Sequence, residues 1–266
     1  MSIRISLIIP CLNSEQFISA CLNSIVSQAE WLYEAIVVDG GSSDSTLRIV
    51  NSFIDSSDKI KLLYGPDRGQ VDAMNKGMAA CTGDVITFVN SDDWLYEGCL
   101  KTVVNEFERD PNLDILFGGL TCYQHGTFSI ATSMPSIEFL IDYRSFRWPL
   151  NPVAYFCRRS IYKNFGSFPD SITVAMDYNF LLSVLISRPQ FKLLPVLFGC
   201  FRLHGLNRSH TSADVIPQIK CCRRILVFRS LDPYLLLLWT FAILREQTVY
   251  FNPRLSGSLS RIRRLL

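Results

Sequence analysis

The chain has 266 residues, 48% hydrophobic and 19% charged, with a net charge of +2. That length and apolar share suit one large packed domain with an appended element and exclude a disordered chain. The near-neutral charge gives no general reason to bind nucleic acid, and nine cysteines without a Cys-x-x-Cys pair argue against a disulfide framework or a zinc site and for reduced thiols in the cytoplasm.

Short apolar runs alternate with helical segments up to about residue 118. Strands are expected at 3–9, 34–38, 60–63, 85–89 and 115–117, and helices at 14–28, 44–54, 70–80 and 95–109. Such alternation predicts an α/β fold with a mostly parallel sheet flanked by helices. The opening apolar stretch is too short for a signal peptide and is expected to be the first strand. From 118 to about 203 the pattern is mixed. A strand at 121–130 turns near Gly126, short helices fall at 136–143 and 160–165, strands at 153–157 and 191–197, and a buried helix at 176–187 opens on Asp177. Beyond residue 203 the chain reads as helical. The run 233–244 is strongly apolar but about a dozen residues long, short of the ~20 needed to cross a bilayer.

Three acidic positions carry the chemistry. Asp39 ends the apolar run 35–38, and Asp92 and Asp93 end the run 85–89. Open α/β sheets bind ligands beyond the carboxyl ends of their strands. Adjacent carboxylates there need a compensating cation or proton. Hard oxygen ligands suit Mg²⁺ or Mn²⁺, which points to a metal-dependent enzyme acting on a nucleoside diphosphate. Asp39 suits a nucleobase or ribose contact as well as a plain turn, and Asp44 suits a helix cap. In the polar stretch 65–77, Arg68 could meet a base or phosphate, and Asp72 the nucleotide or metal. A solvated loop and helix start would look the same.

Four motifs together resemble family 2 glycosyltransferases of the GT-A fold. They are Pro10-Cys11-Leu12-Asn13, Val38-Asp39-Gly40-Gly41-Ser42-Ser43-Asp44-Ser45-Thr46, the stretch 69–77, and Ser91-Asp92-Asp93. The likeness spans roughly residues 3–210. It implies an inverting transfer of a sugar from a nucleotide-diphospho-sugar donor to an acceptor hydroxyl, saccharide or lipid-linked, in polysaccharide or glycolipid assembly. It implies Pro10 and Asp39 in the nucleoside pocket with Asp72 nearby, Asp92 near the ribose and Asp93 on the divalent metal. Asp177 matches the second member of the pair that supplies the general base, and Met176 replaces the first. His204 resembles a histidine that ligates the metal or touches the diphosphate, and Arg202 or Arg208 would face the leaving phosphates. Two departures stand out. The acidic motif is Ser-Asp-Asp, and Gly40 stands where many members have a second acidic residue.

The likeness divides the chain into a nucleotide-sugar-binding half (1–118), an acceptor-binding half (119–210) and a helical C-terminal extension (211–266). The extension, with its flanking arginines, is open to packing on the domain, to a homodimer contact, or to peripheral contact with the inner face of the cell membrane. Trp148 and residues 144–147 fall where an acceptor is expected. Two rival readings share the fold: a non-catalytic nucleotide-sugar-binding scaffold, which would not need Asp177, and a sugar-phosphate nucleotidyltransferase. The latter usually has a basic Gly-rich loop after its first strand, where this chain reads Pro10-Cys11-Leu12-Asn13-Ser14-Glu15.

Overall fold

A computed structural model of the chain describes residues 2–131, 151–174, 176–205 and 207. The expected helix 136–143, the segment 144–148 with Trp148, Arg208, His210 and the C-terminal extension lie outside these residues. In chain order the elements are β1 (Ile5–Cys11), α1 (Ile18–Val26), β2 (Glu34–Asp39), α2 (Thr46–Ser56), β3 (Ile60–Tyr64), α3 (Gln70–Ala80), β4 (Val85–Phe88), β5 (Trp94–Leu95), α4 (Cys99–Arg109), β6 (Ile115–Gln124), β7 (Thr127–Ala131), β8 (Tyr155–Arg158), α5 (Arg159–Phe165), α6 (Met176–Ile186) and β9 (Phe191–Arg202).

One sheet runs β3-β2-β1-β4-β8-β6-β9-β5, with β7 paired to β6. Its first four strands are parallel, as the strand–helix alternation requires. β8 then runs antiparallel to both β4 and β6, and β9 returns parallel to β6. The sheet is therefore mixed beyond β4. Alternate residues of each strand enter opposite cores. Ile8, Ile36 and Val38 pack with α3, α5 and α6 through Met74, Tyr162 and Phe180. Leu7, Ile9 and Val37 pack with α1 and α4 through Leu22, Ile25, Leu100 and Phe107. Burial on both faces explains why β1 and β2 are continuous apolar runs rather than alternating ones.

Two segments differ from the sequence expectation and one folds as expected, each for a local reason. The helix expected from residue 95 starts at Cys99, because Trp94 and Leu95 pair with Cys200 and Gly199 of β9. The segment 121–130, expected to turn near Gly126, is the antiparallel hairpin of β6 and β7. Its turn residues His125 and Gly126 both have positive φ, 48° and 82°, the backbone that a tight two-residue hairpin needs. The strand expected from 153 begins with a 3-10 turn, Pro152–Ala154, in which the Asn151 side chain accepts from the Val153 N–H.

The amino-terminal rim of the sheet is tied by Glu34, which is 1% exposed. Its carboxylate accepts from Ser6 Oγ (2.7 Å), the Thr82 N–H (2.7 Å) and Thr82 Oγ1 (3.0 Å), and pairs with Lys61 Nζ at 2.6 Å. Burial alone would raise its pKa, but these bonds, with Lys61 foremost, outweigh it and hold the carboxyl down at about 2. A depressed folded-state pKa means stability that is present above the unfolded value, near 4.5, and is lost as pH falls toward 2. Glu34→Gln should thus cost about 3 kcal/mol at neutral pH. In urea melts the gap between variant and parent should narrow steadily below pH 4.5. A gap that does not change with pH would contradict the assignment.

Candidate active site

The carboxyl ends of β1 and β4 and the loop after β3 open into one cavity of about 460 Å³, lined among others by Pro10, Cys11, Asp67, Gln70, Asn90, Asp92, Asn151, Asp177 and His204. This size suits a small-molecule ligand. Acidic groups from three distant segments therefore share one space.

Asp92 and His204 form its most specific pair. His204 Nε2 stands 2.9 Å from Asp92 Oδ2, both side chains are about one-fifth exposed, and Asn207 Nδ2 lies 3.3 Å from the same oxygen. The His204 ring stacks on Phe17 with centroids 4.6 Å apart and planes at 23°. Phe17 precedes α1, so the first helix fixes the imidazole plane. Asn207 also donates to the Arg202 carbonyl at 2.9 Å, which closes the 202–207 turn beneath the pair.

Asp93, expected on the metal, behaves oppositely and is turned away from the cavity. Only 1% of it is exposed, and it does not line the cavity. Its Oδ1 accepts from the Arg202 N–H (2.9 Å), and Oδ2 accepts from Asn151 Nδ2 (2.8 Å) and Asn90 Nδ2 (3.0 Å). Burial first, and the neighbouring Asp92 charge second, push its pKa well above the carboxylate range. Asp93 pins three segments together, and Asp92 takes the outward position expected of its neighbour. Arg202 does not face the cavity. Its Nε donates to the Asp92 carbonyl at 3.0 Å, and its guanidinium lies over Trp94 (4.6 Å), Phe17 (5.4 Å) and Tyr123 (5.6 Å).

Asp39, expected in the nucleoside pocket, is not among the residues that line the cavity. It is fully buried. Oδ1 accepts from the Gly41 (2.9 Å) and Ser42 (2.7 Å) N–H groups, and Oδ2 from the Ser42 hydroxyl (2.6 Å) and the Cys11 thiol (3.4 Å). With both oxygens committed, it shapes the β2–α2 loop. Asp44 stands one residue before the Ser45 N-cap of α2 and accepts from the Thr46 N–H at 2.9 Å. Arg68 and Asp72 likewise leave the site. Asp72 pairs with Lys76 (3.1 Å) and Arg68 (3.3 Å), and Arg68 also pairs with Asp170 (3.2 Å) on the outer surface. The opposite side of the same loop and helix, through Asp67, Gly69, Gln70, Ala73 and Met74, faces the cavity. Pro10 lines it.

Asp177 sits in the first turn of α6, 9% exposed, with Oδ1 accepting from the Tyr178 N–H at 2.8 Å, and it lines the cavity beside Met176. Sequence reasoning missed Asp67, Phe17, Asn90, Asn151 and Asn207. The available signal was the polar residue in the loops next to strand ends, which Asp67, Asn90, Asn151 and Asn207 share and Phe17 does not.

Among the described residues no group of three His, Cys, Asp or Glu side chains converges on one point. The carboxylate–imidazole pair nonetheless fits Mg²⁺ or Mn²⁺, which take few protein ligands and complete their shell with phosphate and water. No helix among the described residues is long and apolar enough to cross a membrane.

A parallel nucleotide-binding half extended by a mixed sheet, with its acidic rim at one cavity, defines the GT-A class of fold. Residues 6–177 match the family described as glycosyl transferase family 2, and the chain belongs to that family. It is a glycosyltransferase that uses a nucleotide-sugar donor. It is 32% identical over 182 residues to the PGL/p-HBAD biosynthesis glycosyltransferase of Mycobacterium tuberculosis (strain ATCC 25177 / H37Ra), covering 66% of this chain and 67% of that protein. The structure is similar to S. aureus TarS 1–349 in complex with UDP-GlcNAc, with a TM-score of 0.72 and 20% identity over 96% of this chain and 75% of that one. It is also similar to the mannosyltransferase PcManGT from Pyrobaculum calidifontis in complex with GDP-Man and Mn2+, with a TM-score of 0.58 and 17% identity over 100% of this chain and 81% of that one.

Proposed function

We propose that the chain is an inverting hexosyltransferase that moves a sugar from a nucleotide-diphospho-sugar to an acceptor hydroxyl in polysaccharide or glycolipid assembly. The observation that carries this reading is the meeting of Asp92, His204 and Asp177 in one cavity. Asp92 and His204 would hold a divalent cation, which when bound supplies Lewis-acid stabilisation to the departing diphosphate. Asp177 takes the proton of the acceptor hydroxyl as its oxygen bonds to the anomeric carbon. The electron pair of the breaking glycosyl bond leaves with the diphosphate, and attack from the opposite face inverts the centre. Pro10, Gln70 and Met74 wall the donor side.

The acceptor, saccharide or lipid-linked, belongs to the half from residue 119 onward, and residues 211–266 would extend it toward a membrane face or a second copy. A scaffold would not need Asp177 at the cavity, and a nucleotidyltransferase would need a basic loop where Leu12 and Asn13 stand. Titration calorimetry with nucleotide sugars should give binding with Mn²⁺ that weakens on adding EDTA. Heat that is unchanged by the chelator would overturn the metal part of the reading. No heat with any nucleotide sugar would overturn the whole.

A further inference from the structure

Gly40 is a glycine for space and not for backbone freedom. Its φ is not among the positive ones, which belong to Gly41, Gly65, Gly69, Gly98, Gly126 and Gly166. A Cβ at position 40 would stand 2.4 Å from Asp67 Oδ2 and 2.7 Å from Asp67 Cγ. The Asp67 carboxylate therefore occupies the volume that a side chain at 40 would claim. Asp67 comes from the loop between β3 and α3 and lines the cavity with Pro10 and Cys11. Its Oδ1 accepts from the Gly69 N–H at 2.8 Å, which fixes the direction of the group. Oδ2 accepts no hydrogen bond from any described residue.

The location selects the ligand part that meets this oxygen. Gly40 follows β2 and Asp92 follows β4, with β1 alone between them, so the two lie about two strand spacings apart, ~10 Å. That span fits a nucleoside laid from the hydrogen-bonding edge of its base, across the ribose, to its phosphates. Pro10, Ala73 and Met74 give an apolar wall for the ring face.

We propose that Asp67 reads the nucleobase of the donor. Oδ2 accepts the ring N–H that lies beside a carbonyl in uracil, thymine and guanine. Cytosine and adenine present a bare ring nitrogen at that edge, so lone pair faces lone pair and the contact repels. This inference rests on the nucleotide-sugar reading of the cavity and deepens it, because it restricts the donor class to keto-base nucleotides.

Binding of UDP, dTDP, GDP, CDP and ADP to the full chain with Mn²⁺ tests it. The parent should bind at least one keto-base diphosphate about tenfold or more tighter than CDP and ADP, the discrimination that a hydrogen-bonding site gives. Asp67→Asn offers either an acceptor or a donor and should bring the preference close to unity, raising donor KM with kcat kept. Gly40→Ala forces the Asp67 carboxylate aside and should do the same with the Asp67 side chain intact, which guards against a folding defect in Asp67→Asn. Moving the acid, with Gly40→Asp and Asp67→Gly together, should restore the preference. A parent without keto-base preference, or Asp67→Asn and Gly40→Ala both keeping it, overturns the role of Asp67 and leaves the nucleotide-sugar reading standing. A parent that binds none of the five overturns both.

Discussion

Asp177→Asn should lower kcat by roughly 10²–10⁴-fold, the range for loss of a positioned general base, with donor affinity kept. Asparagine has the same shape and can still accept from the Tyr178 N–H, so the first turn of α6 is preserved. Only proton affinity is removed. Asp177 must do this alone, because the preceding position is Met176 and offers no second carboxylate. Single-turnover transfer and calorimetric donor binding, measured on one preparation, separate the two effects. Normal turnover in the variant would reduce Asp177 to a helix-start residue. Parallel loss of donor affinity would place it on the donor instead of the acceptor.

The second large effect is a contrast between neighbours. Asp92→Asn should weaken Mn²⁺-dependent donor binding by about 10- to 100-fold, as disturbing a metal-site carboxylate does. It should hardly change the unfolding midpoint, since the group is partly exposed and supports little packing. Asp93→Ala should do the reverse. It strands the Arg202 N–H and the amides of Asn90 and Asn151 in a buried site, a cost of about 3 kcal/mol. The folded fraction should still bind donor with Mn²⁺ at an affinity near that of the parent. Thermal melts and donor titrations of the two variants decide the matter. If Asp93→Ala lost metal-dependent binding at full stability while Asp92→Asn kept it, the two roles would have to be exchanged.

The parallel half of the sheet was legible because Ile8, Ile36 and Val38 and their alternating neighbours are all buried, and such strands announce themselves as apolar runs. The acidic positions were legible as a set but not one by one. Asp92 and Asp93 close a turn in which the Asp93 N–H donates to the Asn90 carbonyl at 3.0 Å, and nothing local in the sequence says which of them faces the cavity. That choice is made by Asn151 and Arg202, which lie 58 and 109 residues away in sequence. Asp39 misled for a related reason, since a loop of Gly41 and Ser42 folds back to saturate it. Arg68 and Asp72 lie on the same turn as cavity residues but on its other side. Asp67 was hidden because its meaning depends on what is missing at Gly40, a relation between two loops. The two-residue strand β5 leaves no periodic signal at all.

The bond from His204 to Asp92 joins positions 112 residues apart, and it is delivered by β9 running back along the sheet. The proposed cation seat is thus a seam stitched from early and late portions of the polypeptide. An excised amino-terminal fragment would keep Pro10 and Met74 yet forfeit the imidazole. Modular swapping of acceptor halves between relatives should accordingly carry the 202–207 turn along with the recipient's own front end.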